Sequence, residues 1–284
     1  MSERVFVLGA GRVGLGLARA FRAAGVEVVG VHGRRNSGGE DRVTTGAFPA
    51  ALANASVCLV AVRDSQLEAA LGELASAPLP TGTVVLHVSG SHDPVALGDL
   101  RRLGHPAGTF HPLLPLPDPE RATRALRGAW IGVDGDARAR AAALELAGAI
   151  GARTIEIPAG EKARYHAAAV FASNFPLVLV SVAERLLVDS GVPAAAARAA
   201  ARSLFLAAAE NLRGSGHPDE VLTGPVVRGD PGTVHAHLSA LGDDPDLLEL
   251  YRLLSLEAVH ARRRAGGDAA SLEALTTLLS AARR

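Results

Sequence analysis

Short apolar runs rich in β-branched residues alternate with stretches of helical periodicity over the first 158 positions of the chain. The runs predict seven strands, at residues 5–8, 28–31, 57–62, 83–88, 107–110, 130–133 and 154–157. Several of the intervening stretches begin with capping residues or proline, which mark helix starts. Because strands separated by helices imply right-handed crossovers, this pattern predicts a mainly parallel, doubly wound α/β domain.

After position 158 the strand-like runs disappear and alanine-rich helical stretches follow. They predict helices at 161–190, 193–213, 233–241, 245–264 and 269–282, separated by turns that contain glycine and proline. The change of pattern predicts a sheet domain over residues 1–158 and an all-α domain over residues 159–284. The long apolar helix faces predict that the helical half also buries surface in a homodimer.

Composition and charge indicate a globular chain that binds a small molecule. Hydrophobic residues make up 48% of the 284 positions, and 29 basic residues balance 29 acidic ones. A formal net charge of zero argues against a protein that binds nucleic acid through bulk charge. The single cysteine, Cys58, lies in an apolar run, which suits the reducing cytoplasm.

The sequence favours a cytoplasmic protein without a membrane span. Its first apolar run, residues 5–8, is too short for the core of a signal peptide. The stretch at 167–183 is strongly apolar, but it contains Ser173, Asn174 and Pro176 and falls short of the roughly 20 apolar residues of a span. We therefore expect this stretch to be a buried helix of a soluble protein.

A glycine-rich segment follows the first predicted strand and opens the first predicted helix. It reads Gly9-Ala10-Gly11-Arg12-Val13-Gly14, which is the spacing of a dinucleotide-binding fingerprint. In such a loop the first glycine makes the tight turn, the second admits the pyrophosphate, and the third lets helix and strand pack closely. The helix N-terminus adds a favourable dipole for the anion. The motif predicts a dinucleotide site in a Rossmann domain.

The end of the second predicted strand indicates a preference for NADP over NAD. An NAD site usually carries Asp or Glu there, whereas this chain reads Val31-His32-Gly33-Arg34-Arg35-Asn36-Ser37. Two guanidinium groups and a hydroxyl suit a ribose 2′-phosphate, because arginine binds phosphate through paired hydrogen bonds. The predicted cofactor-binding residues are Gly9, Gly11, Arg12, Val13, Gly14, Arg34, Arg35, Ser37, Val62 and Arg63.

Polar residues at strand ends are the first candidates for catalysis. Ser89 and His111 follow predicted strands, and the carboxyl ends of such strands face the ligand in a doubly wound sheet. Asp64 follows another strand and is interpreted as a helix cap. No metal site is predicted, since His235 and His237 are two residues apart and do not share a helix face.

The helix predicted from residue 161 supplies further polar candidates. At about 100° per residue, Lys162 and His166 fall close together on its surface, and Asn174 lies on the same broad side. A junction between two domains is a usual place for a cleft. Arg228, in a later glycine-rich turn, is a candidate for binding a substrate anion.

With these motifs, the chain resembles a family that pairs a Rossmann-like domain with a helical domain of unknown function. The relatives of that family form the wider 6-phosphogluconate dehydrogenase-like group, which includes pyrroline-5-carboxylate reductases, ketopantoate reductases and β-hydroxyacid dehydrogenases. The resemblance covers nearly the whole chain. It rests on residues 9–14, 111–113, 165–174 and 224–230.

The resemblance implies the fold, a nicotinamide cofactor and, often, dimerisation through the helical domain, and it names no substrate. In the wider group a lysine and an asparagine one turn apart at the start of the long helix assist carbonyl reduction. Lys162 matches the lysine, whereas His166 occupies the place of the asparagine. Asn174 is then the candidate for the orienting role.

Together these observations predict an NADP-dependent oxidoreductase that transfers hydride between the nicotinamide and a small C=O or C=N compound. In this hypothesis Lys162 or His166 donates the proton to the product. The residues assigned to orienting the substrate or holding its anionic group are Asn174, Ser89, His111 and Arg228. Two alternatives stay open, a non-catalytic NADP(H) sensor and a deazaflavin-linked NADP oxidoreductase.

Overall fold

The computed structural model describes residues 3–35, 41–115, 118–214 and 216–281 of the chain. The chain forms two compact units, Met1–Val178 and Leu179–Arg284. The first contains a β-sheet with helices, and the second is helical throughout its described residues. An N-terminal α/β domain followed by a helical region is the predicted fold class, which is therefore confirmed.

An eight-stranded sheet forms the centre of the first unit. Its strands are β1 (Arg4–Leu8), β2 (Glu27–His32), β3 (Val43–Thr44), β4 (Val57–Val60), β5 (Val84–His87), β6 (Ala107–Pro112), β7 (Trp130–Gly135) and β8 (Arg153–Glu156). They lie in the order β3-β2-β1-β4-β5-β6-β7-β8, and every neighbouring pair except β6–β7 is parallel. The order reverses between β1 and β4, which is where a doubly wound sheet binds its ligand.

The seven strands expected from the apolar runs are all present, and the eighth was missed. Strand β3 has two residues, Val43 and Thr44, and is too short to show alternation in the sequence. It pairs with the end of β2, where His32 lies opposite Thr44. The described sheet has one antiparallel pair, β6–β7, which agrees with the prediction of a mainly parallel sheet.

Helices cover the sheet and supply much of its core. In the first unit these are α1 (Arg12–Ala23), α2 (Asp64–Ala75), α3 (Gly98–Arg102), α4 (Ala122–Leu126) and α5 (Ala137–Ala149). Phe21 of α1 is fully buried and packs against Phe110 of β6, with ring centroids 6.0 Å apart. Cys58 of β4 is also fully buried, and burial raises the pKa of its thiol to about 12, so it behaves as a small hydrophobe.

The long helix α6 (Lys162–Asp189) begins in the first unit and ends in the second. It is followed by α7 (Ala194–Asn211), α8 (Pro218–Val221), α9 (Pro231–Ala240), α10 (Pro245–Arg264) and α11 (Ala269–Ala281). Val234, Val259 and Leu275 form the centre of the core of the second unit. The four-residue helix α8 was not predicted, because one turn carries no readable periodicity.

The expectation that the apolar stretch at 167–183 is buried is wrong for the single chain. Phe171 and Leu177 of α6 are 66% and 62% exposed. Of the described helices, α6 is the one that is long and apolar enough to cross a bilayer by length and composition. The sequence shows how apolar a helix is, but it does not show what covers that helix.

Candidate functional site

A large cleft lies at the carboxyl ends of β1, β2 and β4, around the glycine-rich loop. Its volume is about 1080 Å³, which is enough for a sizeable ligand. The residues that line it and were predicted to bind cofactor are Gly9, Gly11, Arg34, Arg35, Val62 and Arg63. Arg12 and Val13 open α1 beside this loop, and Gly14 lies underneath it.

The three glycines of the loop have different structural reasons for lacking a side chain. Gly9 has a φ of +120°, and a Cβ there would overlap the carbonyl group of Ala61 in the loop after β4. A Cβ on Gly14 would overlap the carbonyl oxygen of Gly9, so this glycine allows α1 to approach the loop. At Gly11, however, a Cβ would meet no atom within 4 Å.

The space beside the Gly11 Cα is therefore not filled by any other part of the described protein. The Gly11 backbone is not in the left-handed region, so the fold does not require glycine there. The open space faces the cleft at the N-terminus of α1, where backbone N–H groups and the helix dipole favour an anion. The loop thus fits the pyrophosphate of a dinucleotide.

The end of β2 carries no acid because the packing leaves no room for one at position 33. A Cβ on Gly33 would lie 2.8 Å from the Cβ of Ala10 in the glycine-rich loop. The preceding His32 is buried, with its Nδ1 2.9 Å from the hydroxyl of Thr44. Arg34 and Arg35 follow and line the cleft. Ser37, also predicted to bind the 2′-phosphate, lies outside the described residues.

A second polar group forms where the loop after β5 meets the start of α2. Ser91 donates its hydroxyl proton to the carboxylate of Asp64 at 2.8 Å, and the Ser89 hydroxyl lies 3.0 Å from Nδ1 of His92. The interpretation of Asp64 as a helix cap is wrong. The N-cap of α2 is Arg63, and the Asp64 carboxylate accepts its hydrogen bond from Ser91 in the loop after β5 instead of from the helix backbone. The Ser89 hydroxyl oxygen accepts hydrogen bonds from the backbone N–H groups of Ser91 and His92, so Ser89 stabilises this turn.

The third group, here called the histidine cluster, consists of His111, Tyr165 and His166. The Tyr165 hydroxyl lies 2.8 Å from Nδ1 of His111. The two histidine rings meet edge to face, with centroids 5.9 Å apart. His111 is in β6, and the other two residues are in the first two turns of α6, so one helix end brings the cluster together.

Burial and charge set the protonation of this cluster. Burial, together with the positive charge of Lys162, lowers the pKa of His111 to about 4. Burial also raises the pKa of the Tyr165 hydroxyl, and the carboxylate of Asp134 raises it further. Near neutral pH, His111 is therefore an uncharged imidazole and Tyr165 an intact phenol. An anion bound at His111 would meet a hydrogen-bond donor on a ring that carries no positive charge itself.

Lys162 lies apart from this cluster, in a buried network with Thr109, Asp134 and His87. Its Nζ donates to the Thr109 hydroxyl at 2.7 Å and lies 3.4 Å from the Asp134 carboxylate. The Thr109 hydroxyl in turn lies 3.4 Å from Nε2 of His87. Burial lowers the pKa of Lys162, and the Asp134 carboxylate opposes that shift. Burial and the Lys162 charge lower the pKa of His87 to about 3.

The other predicted residues lie elsewhere. Asn174 is exposed two turns beyond His166, and its side-chain oxygen accepts from Ser173 at 2.9 Å. Arg228 is exposed in the turn before α9 of the second unit. Among the described residues, no group of three or more His, Cys, Asp or Glu side chains could hold a metal ion.

The sequence predictions missed four polar residues of this site. They are Tyr165, Thr109, Asp134 and His87. Tyr165 could have been selected, since it directly precedes His166 in a motif already singled out. The other three lie within apolar strands, and nothing in the sequence reveals that their side chains converge on one lysine.

Two family models match the chain. One describes a Rossmann-like domain and covers residues 2–112, and the other describes a domain of unknown function, DUF2520, and covers residues 129–258. The chain thus carries both domains, as the resemblance in the sequence implied. No curated protein is significantly similar to it.

Solved structures share this fold over nearly the whole chain. A candidate NADP oxidoreductase from Bacteroides fragilis is 23% identical, with a TM-score of 0.68 over 90% of this chain and 98% of that one. A protein from Thermotoga maritima is 20% identical, with a TM-score of 0.71 over 92% and 99%. A pyrroline-5-carboxylate reductase from Coxiella burnetii is 16% identical, with a TM-score of 0.59 over 98% and 99%. At these identities the likeness establishes the fold.

Proposed function

We propose that this chain, which joins a Rossmann-like domain to a DUF2520 domain, is an NADP(H)-dependent oxidoreductase acting on a small C=O or C=N compound. The observation that carries the proposal is the cleft around Gly11, whose open space the fold itself does not require. Similar folds described as an NADP oxidoreductase and a pyrroline-5-carboxylate reductase support it. We place the cofactor site within residues 1–158 and expect the protein to act in the cytoplasm.

The chain's own residues hold the cofactor and leave its chemistry to the nicotinamide. Gly11 and the first turn of α1 receive the pyrophosphate, and Arg34 and Arg35 bind the ribose 2′-phosphate. The nicotinamide, when bound, supplies or accepts the hydride. The protein must then position the substrate, stabilise charge on the reacting group and provide a proton.

Of the two predicted proton donors, the structure favours His166. The Nζ of Lys162 is buried and already donates to Thr109 beside the Asp134 carboxylate. His166 lies at the carboxyl ends of the strands next to His111, and the charge of Asp64 is close enough to interact with it. In this proposal Lys162 is a buried charge that helps to keep His111 uncharged.

The remaining assignments stay predictions. Ser89 shapes the turn after β5, which places its backbone beside the histidine cluster, and it orients the substrate through that turn. Asn174 would orient the substrate only if a ligand reached two turns along α6 from His166. Arg228 belongs to the second unit, and its assignment to a substrate anion rests on the sequence alone.

Calorimetric titration with NADPH and NADH tests the cofactor part of the proposal. We expect NADPH to bind, and we expect Gly11→Val to abolish that binding while the circular dichroism stays native, because the new side chain fills the space left for the pyrophosphate. Gly148→Val is the matched control, since Gly148 in α5 also has open space at its Cβ but does not line the cleft.

Two outcomes would contradict the proposal. Undiminished NADPH affinity in a folded Gly11→Val variant would show that the cleft is not the dinucleotide site. Tight NADPH binding without turnover across a broad set of carbonyl and imine compounds would instead favour a non-catalytic NADP(H) sensor.

A further inference from the structure

Two glycines at the end of the sheet leave the space in which the His111–Tyr165 pair lies. A Cβ on Gly132 of β7 would overlap the Tyr165 hydroxyl. A Cβ on Gly90, after β5, would lie 2.7 Å from Nε2 of His111 and would overlap Nδ1 of His166. Neither glycine has a left-handed φ, so the backbone does not need glycine at either position. The absence of a side chain at Gly132 and Gly90 leaves room for the rings of Tyr165, His111 and His166.

The hydrogen bond between Tyr165 and His111 is stronger when the phenol donates, because a phenol O–H is a more acidic donor than an imidazole N–H and an imidazole nitrogen is a more basic acceptor than a phenol oxygen. A neutral imidazole has one donor nitrogen and one acceptor nitrogen. If Nδ1 of His111 donated to the tyrosine, the hydroxyl proton of Tyr165 would need another acceptor, and its described partner is His111. If Tyr165 donates, Nδ1 serves as the acceptor, and the hydrogen of the neutral ring lies on Nε2, where it is free for a ligand.

We infer that Tyr165 is a positioning residue, which donates its hydroxyl proton to Nδ1 of His111 so that His111 presents Nε2–H as a donor to a substrate carbonyl oxygen. The tyrosine does not touch the substrate in this scheme. It fixes which ring nitrogen carries the proton and holds the ring against Gly90. What this says about the substrate rests on the proposed function.

The surroundings of His111 keep this donor uncharged. The charged or titratable groups that act on it are Lys162 and His166 from α6 and Asp64 from α2, together with the Tyr165 hydroxyl. Burial and the Lys162 charge oppose a positive charge on the ring. An uncharged N–H group donates a hydrogen bond to a neutral carbonyl oxygen without adding a positive charge of its own.

An N–H donor at this place selects a carbonyl over an imine. When a carbonyl carbon receives hydride from NADPH, which becomes NADP⁺, the π electron pair passes to oxygen. The oxygen then takes one proton, supplied by His166 in the proposed function, to give the alcohol. That oxygen accepts hydrogen bonds throughout and accepts them more strongly as it gains charge. An imine is reduced as the iminium cation, whose nitrogen has no lone pair to accept from Nε2–H. The arrangement therefore favours ketones or aldehydes.

Nitrogen NMR of the histidine rings tests the positioning role without cofactor or substrate. In ¹⁵N-labelled protein at pH 7, with His111 assigned by His111→Gln, we expect its Nε2 to carry the proton and its Nδ1 to accept a hydrogen bond. In Tyr165→Phe the Nδ1 resonance should move towards that of an unbonded ring nitrogen, with the Nδ1–H tautomer appearing. Gly132→Ala, which keeps the tyrosine but displaces its hydroxyl, should reproduce that shift.

The second unit contains a matched control for this experiment. The Tyr251 hydroxyl lies 2.8 Å from Nδ1 of His237, the same two atoms at the same separation. Tyr251→Phe should therefore shift His237 and leave His111 unchanged. A wild-type His111 protonated at Nδ1, or His111 signals unaltered by both Tyr165→Phe and Gly132→Ala, would overturn the inference even if NADPH binds as proposed.

A substrate comparison tests the second half of the inference. With NADPH, the wild-type protein should turn over ketones or aldehydes in preference to preformed imines. Tyr165→Phe should lower kcat by roughly tenfold, less than the 10²–10³-fold of removing a donor outright, and leave the NADPH dissociation constant unchanged. Turnover of imines alone would reject the carbonyl assignment, while leaving the NADPH-dependent function in place.

Discussion

The missing side chain of Gly33 bears directly on the choice of cofactor. Its Cβ position lies 2.8 Å from the Cβ of Ala10, so an Asp or Glu at this strand end would push against the glycine-rich loop. The hydrogen bonds that the ribose hydroxyls usually donate to an acidic side chain are therefore not available at this position. Arg34 and Arg35 come next and line the cleft, where their positive charges suit a ribose 2′-phosphate.

Replacement of both arginines by alanine tests the preference for NADPH. Arg34→Ala/Arg35→Ala should remove most of the difference in affinity between NADPH and NADH, because each charge-assisted hydrogen bond to the 2′-phosphate contributes roughly 1.5–3 kcal/mol. Calorimetric titration of both cofactors measures it. Arg121→Ala/Arg124→Ala removes the same charge away from the cleft and should change neither affinity. Equal affinities for the two cofactors in the wild-type protein would reject the prediction.

The buried His87 makes the sheet domain sensitive to acid. Its pKa is about 3 in the folded chain against 6.5 for an unperturbed histidine. Between these values the unfolded state binds a proton that the folded state does not bind. The free energy of unfolding therefore falls as the pH drops from 6.5 towards 3, by at most about 1.4 kcal/mol per pH unit from this group.

Urea unfolding of wild type and His87→Gln at several pH values isolates that contribution. Trp130, the single tryptophan, lies in β7 of the same unit, so its fluorescence reports on this domain. The wild-type free energy of unfolding should decrease more steeply below pH 6.5 than that of the variant. Parallel curves would show that His87 does not titrate as expected.

At the scale of elements, the start of α6 is joined to the sheet by a buried ion pair. Lys162 is 3% exposed and lies 3.4 Å from the carboxylate of Asp134 in β7. Removal of one partner leaves the other charge largely buried and unpaired, which costs about 3–5 kcal/mol. The same end of the helix also carries an exposed pair, Arg164 and Glu161, at 3.0 Å.

These two pairs give a matched comparison. Lys162→Met should lower the free energy of unfolding by about 3–5 kcal/mol, whereas Arg164→Met should change it by less than about 1 kcal/mol, because an exposed pair contributes little. Urea unfolding followed by Trp130 fluorescence measures both. Similar losses in the two variants would mean that the Lys162–Asp134 pair does not anchor α6.

The sequence predicts elements well where their residues repeat a pattern over several positions. Apolar runs of four or more residues identified every longer strand, whereas the two residues of β3 form a strand only because β2 lies beside them. The glycine-rich loop was found because its backbone requirements are local. The break between sheet and helical halves was visible because β-branched runs stop near residue 158.

The candidate site was predicted less completely, because its contacts are distant in sequence. Helical spacing places Lys162 and His166 on one face, but it cannot show that one is buried against Thr109 and the other lies beside His111. The Tyr165–His111 hydrogen bond joins residues 54 positions apart. Such a pair forms only because β6 and the start of α6 meet in the folded chain. The sequence around either residue does not predict that contact.

At the scale of the whole molecule, the exposed apolar surface of α6 and α7 is the most unusual feature. The large hydrophobic side chains exposed on these helices include Phe171, Phe175, Leu177, Val178, Leu179, Leu204 and Leu206. Exposed apolar side chains in such number on a helix of a single chain usually mark an interaction surface. A second copy of the chain would cover such helix faces symmetrically, because a twofold interface uses the same surface on both partners.

We therefore predict a homodimer that buries these helices. Sedimentation velocity at micromolar concentration should give a dimer for the wild-type protein. Phe171→Asp and Leu204→Asp, at positions 66% and 73% exposed, should each give a folded monomer, because a carboxylate would be buried without a partner in the dimer. Leu103→Asp is the matched control, since Leu103 is 53% exposed in the sheet domain and should leave the dimer intact. A wild-type monomer would contradict the prediction, and binding of that monomer to lipid vesicles would show that a bilayer covers α6 instead.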